Sequence, residues 1–239
     1  MGWFRRKEKQ REIGFCSAVV VAAGTSSRMG EDKIVRELGG VPVIVHTLLA
    51  FERSPEVDEI VVVTREELVA DVAALCRDFQ ISKASKVIRG GDTRLQSARM
   101  GTLEVHRDTQ LIAIHDGARP FVTGKVISAA ICKASQTGAA APAIPVKDTI
   151  KEASDGLVER TLDRAKLYAV QTPQVFEASL IRAALQKALD DGVELTDDCA
   201  AVERLGMRVS LTPGDERNIK LTTPADLLWG EALLDGEVL

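Results

Sequence analysis

Residues 16–33 read CSAVVVAAGTSSRMGEDK. The run at 18–21 is apolar and mostly β-branched, which predicts a buried strand. The run ends at Ala22, Ala23 and Gly24, and a loop of small polar residues follows. Open α/β sheets bind ligands where a parallel strand ends in such a loop. The stretch therefore predicts an α/β sheet with a ligand site at the end of its first strand.

The loop after this strand has the composition of a phosphate-binding loop. Its small residues let backbone N–H groups approach a phosphate, and Arg28 and Lys33 can neutralise the negative charge. It matches neither the Walker A spacing nor the G-x-G-x-x-G fingerprint, which argues against a P-loop enzyme and a nicotinamide oxidoreductase. We predict a nucleoside-triphosphate site. An ordinary turn with two solvated cations is the alternative that the loop alone leaves open.

Composition places the chain among ordinary globular proteins. Its 239 residues, 45% of them hydrophobic, suit one α/β domain at 16–239 after a flexible basic tail at 1–15. A formal net charge of −4 gives no support to nucleic-acid or membrane partners. The four cysteines are widely spaced, as expected of reduced thiols in a cytoplasmic protein. We therefore expect a cytoplasmic location.

Strand and helix patterns alternate along the rest of the chain, which predicts a mostly parallel sheet flanked by helices. A helix is expected directly after Asp92. Strands are expected at 60–63, 86–89, 111–115, 139–144 and 209–211, with a strand end at 218–220. Further helices are expected at 43–53, 66–79, 126–135, 180–189, 196–205 and 225–234.

Two further strand ends carry candidate ligand-binding residues. Gly90 and Gly91 permit a close approach of the backbone to a ligand, and Asp92 is expected to cap the following helix. Asp116 follows another predicted strand, where a carboxylate facing the first loop could hold Mg²⁺ against phosphate oxygens. A turn with a helix cap is the alternative for Gly90–Asp92, and a cap or an ion pair with Arg119 is the alternative for Asp116.

The pattern changes at about residue 146. Residues 147–151 alternate polar and apolar, 154–156 form a turn, and 157–162 read as a returning strand. This predicts a β-hairpin arm at about 146–163. An isolated hairpin is marginal in water, so the arm is expected to pack on something else.

Eight strings in their order and spacing resemble one family of nucleotidyltransferases. They are AAGTSSRMGEDK from Ala22, GGDTRLQSARMG from Gly90, IHDGARPFV from Ile114, PVKDTIK from Pro145, TLDR from Thr161, QTPQ from Gln171, TDDCAAVERLG from Thr196 and NIKLTTPADL from Asn218. Over residues 16–235 the chain is similar to 2-C-methyl-D-erythritol 4-phosphate cytidylyltransferases. The resemblance implies a Rossmann-like nucleotidyltransferase fold and transfer of CMP from CTP to methylerythritol phosphate, which releases pyrophosphate. It also implies a homodimer joined through the arm.

The resemblance further implies roles for individual residues. It places Arg28 and Lys33 over the triphosphate as catalytic residues and Asp116 on Mg²⁺. The CTP site would comprise Ala22, Ala23, Gly24, Gly90, Gly91, Asp92, Ser97 and Gly117. The methylerythritol phosphate site would comprise Asp116, Arg119, Thr149, Arg164, Thr196 and Lys220, with Arg164 serving the partner's site. One departure concerns the loop before Lys33, which is about two residues shorter than is common in the family.

The predicted reaction suits the residue types available. The attacking group is an ionised phosphate, so no general base is required, and catalysis is mainly positioning and electrostatic stabilisation. His115 is accordingly expected to be a packing or hydrogen-bonding residue. A cytidylyltransferase for ribitol 5-phosphate or another alditol phosphate is the nearest alternative. A non-catalytic nucleotide-binding domain on the same fold is a more distant one.

Overall fold

The computed structural model describes residues 13–24 and 34–236. The predicted catalytic residues Arg28 and Lys33 and residues 1–12 of the predicted tail lie outside the described residues. Residues 13–15, the end of that predicted tail, are half-buried, and the Phe15 carbonyl accepts hydrogen bonds from the Gln110 and Leu111 N–H groups.

The elements are numbered here in chain order. The strands are β1 (Cys16–Val21), β2 (Glu37–Leu38), β3 (Val41–Pro42), β4 (Glu59–Thr64), β5 (Ala84–Arg89), β6 (Leu111–Asp116), β7 (Ala139–Pro145), β8 (Lys151–Ser154), β9 (Leu157–Thr161), β10 (Tyr168–Val170), β11 (Gln174–Glu177) and β12 (Ser210–Pro213). The α-helices are α1 (Val43–Glu52), α2 (Val69–Asp78), α3 (Arg94–Glu104), α4 (Gly124–Thr137), α5 (Ala178–Asp190), α6 (Asp198–Arg204) and α7 (Pro224–Leu234). Short 3-10 helices cover Glu66–Leu68 and Arg164–Lys166.

Eight strands form one mixed, mostly parallel sheet. Their order is β10-β7-β11-β6-β1-β4-β5, with β12 beside β7. The first strand β1 pairs in parallel with β4 on one side and with β6 on the other, whereas β11 runs antiparallel to β6 and β7. The strand order therefore reverses at β1, which opens a crevice at the carboxyl ends of β1 and β6. The predicted α/β fold is confirmed.

The central strand is buried on both faces of the sheet. Ala18 and Val20 belong to a core cluster with the apolar faces of α1, α2 and α4. Val19 and Val21 belong to a second cluster with α3, α5 and α6. This two-sided burial explains why β1 is a continuous apolar run, as parallel strands covered by helices usually are. Among the described residues, no helix has the length and apolar character to cross a membrane.

The predicted hairpin is formed by β8 and β9, which are exposed along their whole length. Its turn has positive φ angles at Asp155 (50°) and Gly156 (78°), which suits the right-handed twist of a two-residue hairpin. The first strand begins at Lys151, later than the predicted 147, and its pairing with β9 has a register shift between Glu152 and Ala153.

Two local predictions were wrong. The residue that caps α3 is Thr93 and not Asp92: the Thr93 hydroxyl accepts from the Gln96 N–H, while Gln96 Oε1 accepts from the Asp92 and Thr93 N–H groups. This capping box satisfies more backbone donors than a cap by Asp92 could. Residues 218–220 form no strand, because the Asn218 N–H bonds to the Asp215 carbonyl within a turn.

Helix α3 approaches the sheet through Gly101. A Cβ at this position would lie 2.3 Å from Val19 Cγ1 and 2.8 Å from Val63 Cγ2. We expect Gly101→Ala to lower the free energy of unfolding by about 1–2 kcal/mol, because overpacking outweighs the better helix propensity of alanine. Urea unfolding measures the change. Gly124→Ala, where no atom would lie within 4 Å, is the matched control. Equal stability of the two variants would contradict close packing at Gly101.

Candidate active site

A cavity of about 350 Å³ opens at the carboxyl ends of β1 and β6. Asp116 and Lys220, predicted for the metal and the acceptor, line it. Six residues predicted to contact CTP also line it, namely Ala22, Ala23, Gly24, Gly91, Asp92 and Ser97. The structure thus brings the loop after β1 and the loop after β5 together around one space.

Two glycines, which have no side chain, allow these loops to come into contact. A Cβ on Gly90 would lie 2.6 Å from Ala23 Cβ and 2.7 Å from Ser97 Oγ. A Cβ on Gly117 would lie 2.9 Å from Ala22 Cβ. Gly90 and Gly117 therefore lie directly behind the cavity lining, where only a bare backbone leaves the adjoining residues in place.

Ser97 stabilises the loop after β5 by hydrogen bonds to its backbone. Its side chain is buried, and its hydroxyl donates to the Thr93 carbonyl at 2.9 Å and accepts from the Gly91 N–H at 3.2 Å. The hydroxyl is therefore engaged with the backbone of this loop. The position of Gly91 on the cavity wall depends on that contact.

The carboxylate of Asp116 contacts three cations. Lys220 Nζ lies 3.0 Å from Oδ2, Arg94 Nε lies 3.3 Å from Oδ1, and Arg119 Nε lies 3.5 Å from Oδ2. Burial alone would raise the pKa of Asp116, but the positive charges of Arg94, Lys220 and Arg119 outweigh it and hold that pKa well below its usual range. Asp116 is therefore ionised at neutral pH.

Arg94 and Asp198 are site residues that sequence reasoning missed. Arg94 begins α3 and lines the cavity, and its Nη2 donates to Asp198 Oδ2 at 2.8 Å. Burial opposes the charge of Arg94, but Asp198 and Asp116 raise its pKa above the usual value. Burial raises the pKa of Asp198, and Arg94 opposes that rise. Both residues lie inside strings that carry the family resemblance, but no sequence signal pairs them, because they lie 104 positions apart.

His115 is buried beside Asp116 and is neutral. Its Nε2–H donates to the Arg119 carbonyl, and its Nδ1 accepts from the Thr172 hydroxyl at 2.9 Å. Burial lowers the pKa of His115 to about 3, although the charge of Asp116 opposes this shift. The side chain also packs edge-on against Phe51. Packing and hydrogen bonding are thus its observed role, as the sequence predicted.

Four residues predicted for the acceptor site lie outside the cavity lining. Thr149 and Arg164 lie beside the hairpin arm, and Arg164 Nη1 donates to the Lys147 carbonyl at 2.7 Å. Thr196 is exposed just before α6. Arg119 does not line the cavity but reaches its rim through Asp116. Roles for these residues in binding the acceptor stay predictions.

The chemistry of Asp116 fits a magnesium ion that arrives with a nucleotide. Mg²⁺ takes one or two protein carboxylates and completes its shell with waters and substrate phosphates. Within the described ranges, no group of three or more His, Cys, Asp or Glu side chains could hold a metal alone. One ionised carboxylate at the cavity wall is therefore a suitable donor for such an ion.

The reversal of strand order at β1, with the ligand cavity at that point, places the chain in the class of Rossmann-like nucleotidyltransferases. Within that class, it belongs to the IspD family, 2-C-methyl-D-erythritol 4-phosphate cytidylyltransferase, whose sequence model matches residues 16–236.

Individual relatives agree with this assignment. The 2-C-methyl-D-erythritol 4-phosphate cytidylyltransferase of Halalkalibacterium halodurans is 44% identical over 220 residues, which cover 91% of this chain and 96% of the relative. The enzyme of the same name from Geobacillus kaustophilus is 46% identical over 219 residues, covering 91% and 96%. The crystal structure of 4-diphosphocytidyl-2C-methyl-D-erythritol synthase from Anaerococcus prevotii is 31% identical with a TM-score of 0.83, covering 92% of this chain and 96% of that one.

The pKa of His115 has a consequence for stability. The unfolded chain binds a proton at this imidazole near pH 6.5, whereas the folded chain does so only near pH 3. As pH falls from 6.5 towards 3, we expect this group alone to remove about 1.4 kcal/mol of unfolding free energy per pH unit. Urea unfolding between pH 7 and 5 in EDTA measures the slope. An NMR signal of the folded His115 ring that titrates near pH 6.5 would contradict this account.

Proposed function

We propose that this chain transfers CMP from CTP to 2-C-methyl-D-erythritol 4-phosphate, which gives 4-diphosphocytidyl-2-C-methyl-D-erythritol and pyrophosphate. The observation that carries the proposal is the cavity at the carboxyl ends of β1 and β6, where the two predicted CTP loops meet Asp116 and Lys220. The match of the family model over residues 16–236 supports the same reaction.

In this reaction an oxygen of the acceptor phosphate attacks the α-phosphorus of CTP. The bond from that phosphorus to the bridging oxygen of the β-phosphate breaks, and pyrophosphate leaves with the bonding electrons. The acceptor phosphate is already ionised, so the chain need not remove a proton. The neutral, buried His115 agrees with this, since its two ring nitrogens are engaged with Thr172 and the Arg119 carbonyl.

The chain's contribution is to position the two substrates and to offset charge. We propose that residues 22–24 and 90–97 bind the nucleotide, with backbone groups of the glycine loops next to the base and ribose. Arg28 and Lys33 are proposed to stabilise the charge that develops on the phosphate oxygens. Mg²⁺, held by Asp116, would supply further neutralisation of the triphosphate charge.

The phosphate group of the acceptor also needs cations near Asp116 to bind it. Lys220 and Arg119 are the proposed ligands, because both lie within 3.5 Å of the Asp116 carboxylate and near the cavity. Arg164 is proposed to serve the acceptor site of a second copy of the chain, and Thr149 is proposed to belong to the acceptor site. Thr196 is a further candidate for that site.

A homodimer would cover the apolar side chains of the arm. Leu157 and Val158 on β9 are 74% and 61% exposed, and Tyr168 on the sheet-edge strand β10 is 48% exposed. Such a surface on a two-stranded arm is marginal without a partner. We propose that the arm at about 146–163 packs against the second copy, and that the enzyme acts in the cytoplasm.

The names of the relatives do not favour the alternatives. Each relative described above is named for methylerythritol phosphate or its cytidylyl product, and none for ribitol phosphate. A non-catalytic role is likewise not favoured, because those names denote cytidylyltransferases and synthases.

Substrate and reaction can be tested together by pyrophosphate release. With Mg²⁺ and CTP, we expect release with methylerythritol 4-phosphate and little with ribitol 5-phosphate, because the relatives are named for the former acceptor or its cytidylyl product. Lys33→Ala, expected to be inactive but folded, controls for a contaminating enzyme. Release with ribitol 5-phosphate alone would move the acceptor assignment, and no release with either acceptor from folded protein would refute the proposed reaction.

The dimer can be tested with one pair of matched variants. Leu157→Asp places a charge on the arm, so we expect light scattering after size exclusion to show a shift towards monomer. Leu228→Asp on α7 is the control, because Leu228 is equally exposed at 74% but lies off the arm. The proposal would be wrong if the unmodified chain were monomeric at micromolar concentration. It would also be wrong if both variants shifted the chain equally towards monomer.

A further inference from the structure

Arg94 is held between two carboxylates that lie in different surroundings. Its Nε contacts Asp116 Oδ1 at 3.3 Å, and its Nη2 donates to Asp198 Oδ2 at 2.8 Å. Asp116 lines the cavity, whereas Asp198 lies outside the lining and is 1% exposed. Within the described part of the chain, Arg94 Nη1 has no hydrogen-bond partner, although the side chain is 26% exposed and lines the cavity.

Asp198 is itself fixed firmly to the sheet. Gln174, buried on β11, accepts through Oε1 from the Asp198 and Cys199 N–H groups at 2.9 and 3.0 Å. The Nε2 group of Gln174 donates to Asp197 Oδ2 at 2.9 Å. Strand β11 pairs directly with β6, which carries Asp116. The start of α6, which carries Asp198, is therefore hydrogen-bonded to the strand beside the one that carries Asp116.

We infer that Asp198 is a positioning residue for CTP binding, because it holds the Arg94 guanidinium so that the remaining donors are available to the nucleotide in the cavity. This inference rests on the proposed function of the cavity as a CTP site. Arg94 would then bind anionic oxygens of the nucleotide, and Asp198 would act only through Arg94.

The carboxylates of Asp116 and Asp198 are affected differently when nucleotide and metal bind in the cavity. Asp116 is proposed to bind Mg²⁺, and a carboxylate engaged with a metal holds a guanidinium less firmly. Asp198 has no access to the cavity, so its pair with Arg94 persists when the site fills. Asp198 also balances one of the three positive charges around Asp116. Without Asp198, both the position and the charge balance of Arg94 would depend on Asp116 alone.

Two measurements test the inference. Calorimetry with Mg²⁺ and no acceptor measures CTP binding directly, and steady-state kinetics with both substrates measures kcat and the two KM values. We expect Asp198→Asn to weaken CTP binding and to raise the KM for CTP about tenfold, as for a lost charge-assisted hydrogen bond. The kcat and the KM for the acceptor should change less than twofold. A loss confined to kcat, or unchanged CTP binding in folded protein, would overturn the inference.

A double variant separates positioning from folding. Arg94→Gln should weaken CTP binding as much as Asp198→Asn, and the two together should weaken it no further than Arg94→Gln alone. The double variant also removes the guanidinium that Asp198→Asn leaves with Asp116 as its one carboxylate partner among the described residues, so it stays informative if that single variant unfolds. Additive losses, or an Arg94→Gln variant that binds CTP normally, would overturn the inference.

Asp191→Asn is the control for a carboxylate–guanidinium pair outside the cavity lining. Asp191 Oδ2 accepts from Arg204 Nη2 at 3.0 Å and Asp191 also pairs with Lys187, so this variant breaks an exposed pair at the far end of α6. It should leave CTP binding unchanged. If the unmodified chain does not bind CTP, the proposed function itself fails. If the unmodified chain binds CTP and the Asp198 variants bind it equally well, the inference alone fails.

Discussion

The balance of charge around the Asp116 carboxylate is the constraint on which the site depends. A buried carboxylate is costly unless opposite charges and hydrogen-bond donors surround it. Here the surrounding cations come from α3 (Arg94), from the loop after β6 (Arg119) and from the chain before α7 (Lys220). Three segments that are distant in sequence therefore meet at the end of β6 because one negative charge must be compensated there.

The same cluster links the site to the folding of the C-terminal third. Arg119 Nη1 donates to the Asn218 carbonyl, and buried Asn218 donates from Nδ2 to the Thr172 carbonyl. Thr172 in turn accepts from the Asp116 N–H. The turn that delivers Lys220 is thus built on the residues beside Asp116, so the acceptor side of the cavity and the end of β6 form one connected unit.

Sequence patterns predicted the fold well because its main strands and helices carry strong periodicity. The run of β1 and the glycines after β5 were sufficient to place the cavity. Short strands such as β10, with three residues, carry too little pattern, and 218–220 was wrongly given a strand end. Asp92 was wrongly chosen as a cap, since several neighbouring polar residues could have served and Gln96 decides between them.

Within the site, the family motifs predicted eight residues that line the cavity, but also Thr149, Arg164 and Thr196, which lie apart from its lining. Sequence reasoning missed the pair of Arg94 and Asp198, which lie 104 positions apart in the chain. No local pattern indicates a contact over such a separation, because it depends on how α3 and α6 pack on one face of the sheet. Arg28 and Lys33 are supported by sequence resemblance alone, as they lie outside the described residues.

The glycines behind the cavity lining have a consequence for inhibition. Gly24 and Gly91 on the cavity wall present backbone atoms that no single substitution can delete. Behind the wall, any replacement at Gly90 would add an atom 2.6 Å from Ala23 Cβ and so displace the lining. Resistance to a drug usually arises by reshaping side chains in contact with it. For a compound bound against this wall, few substitutions would therefore weaken its binding and still keep the two loops in contact.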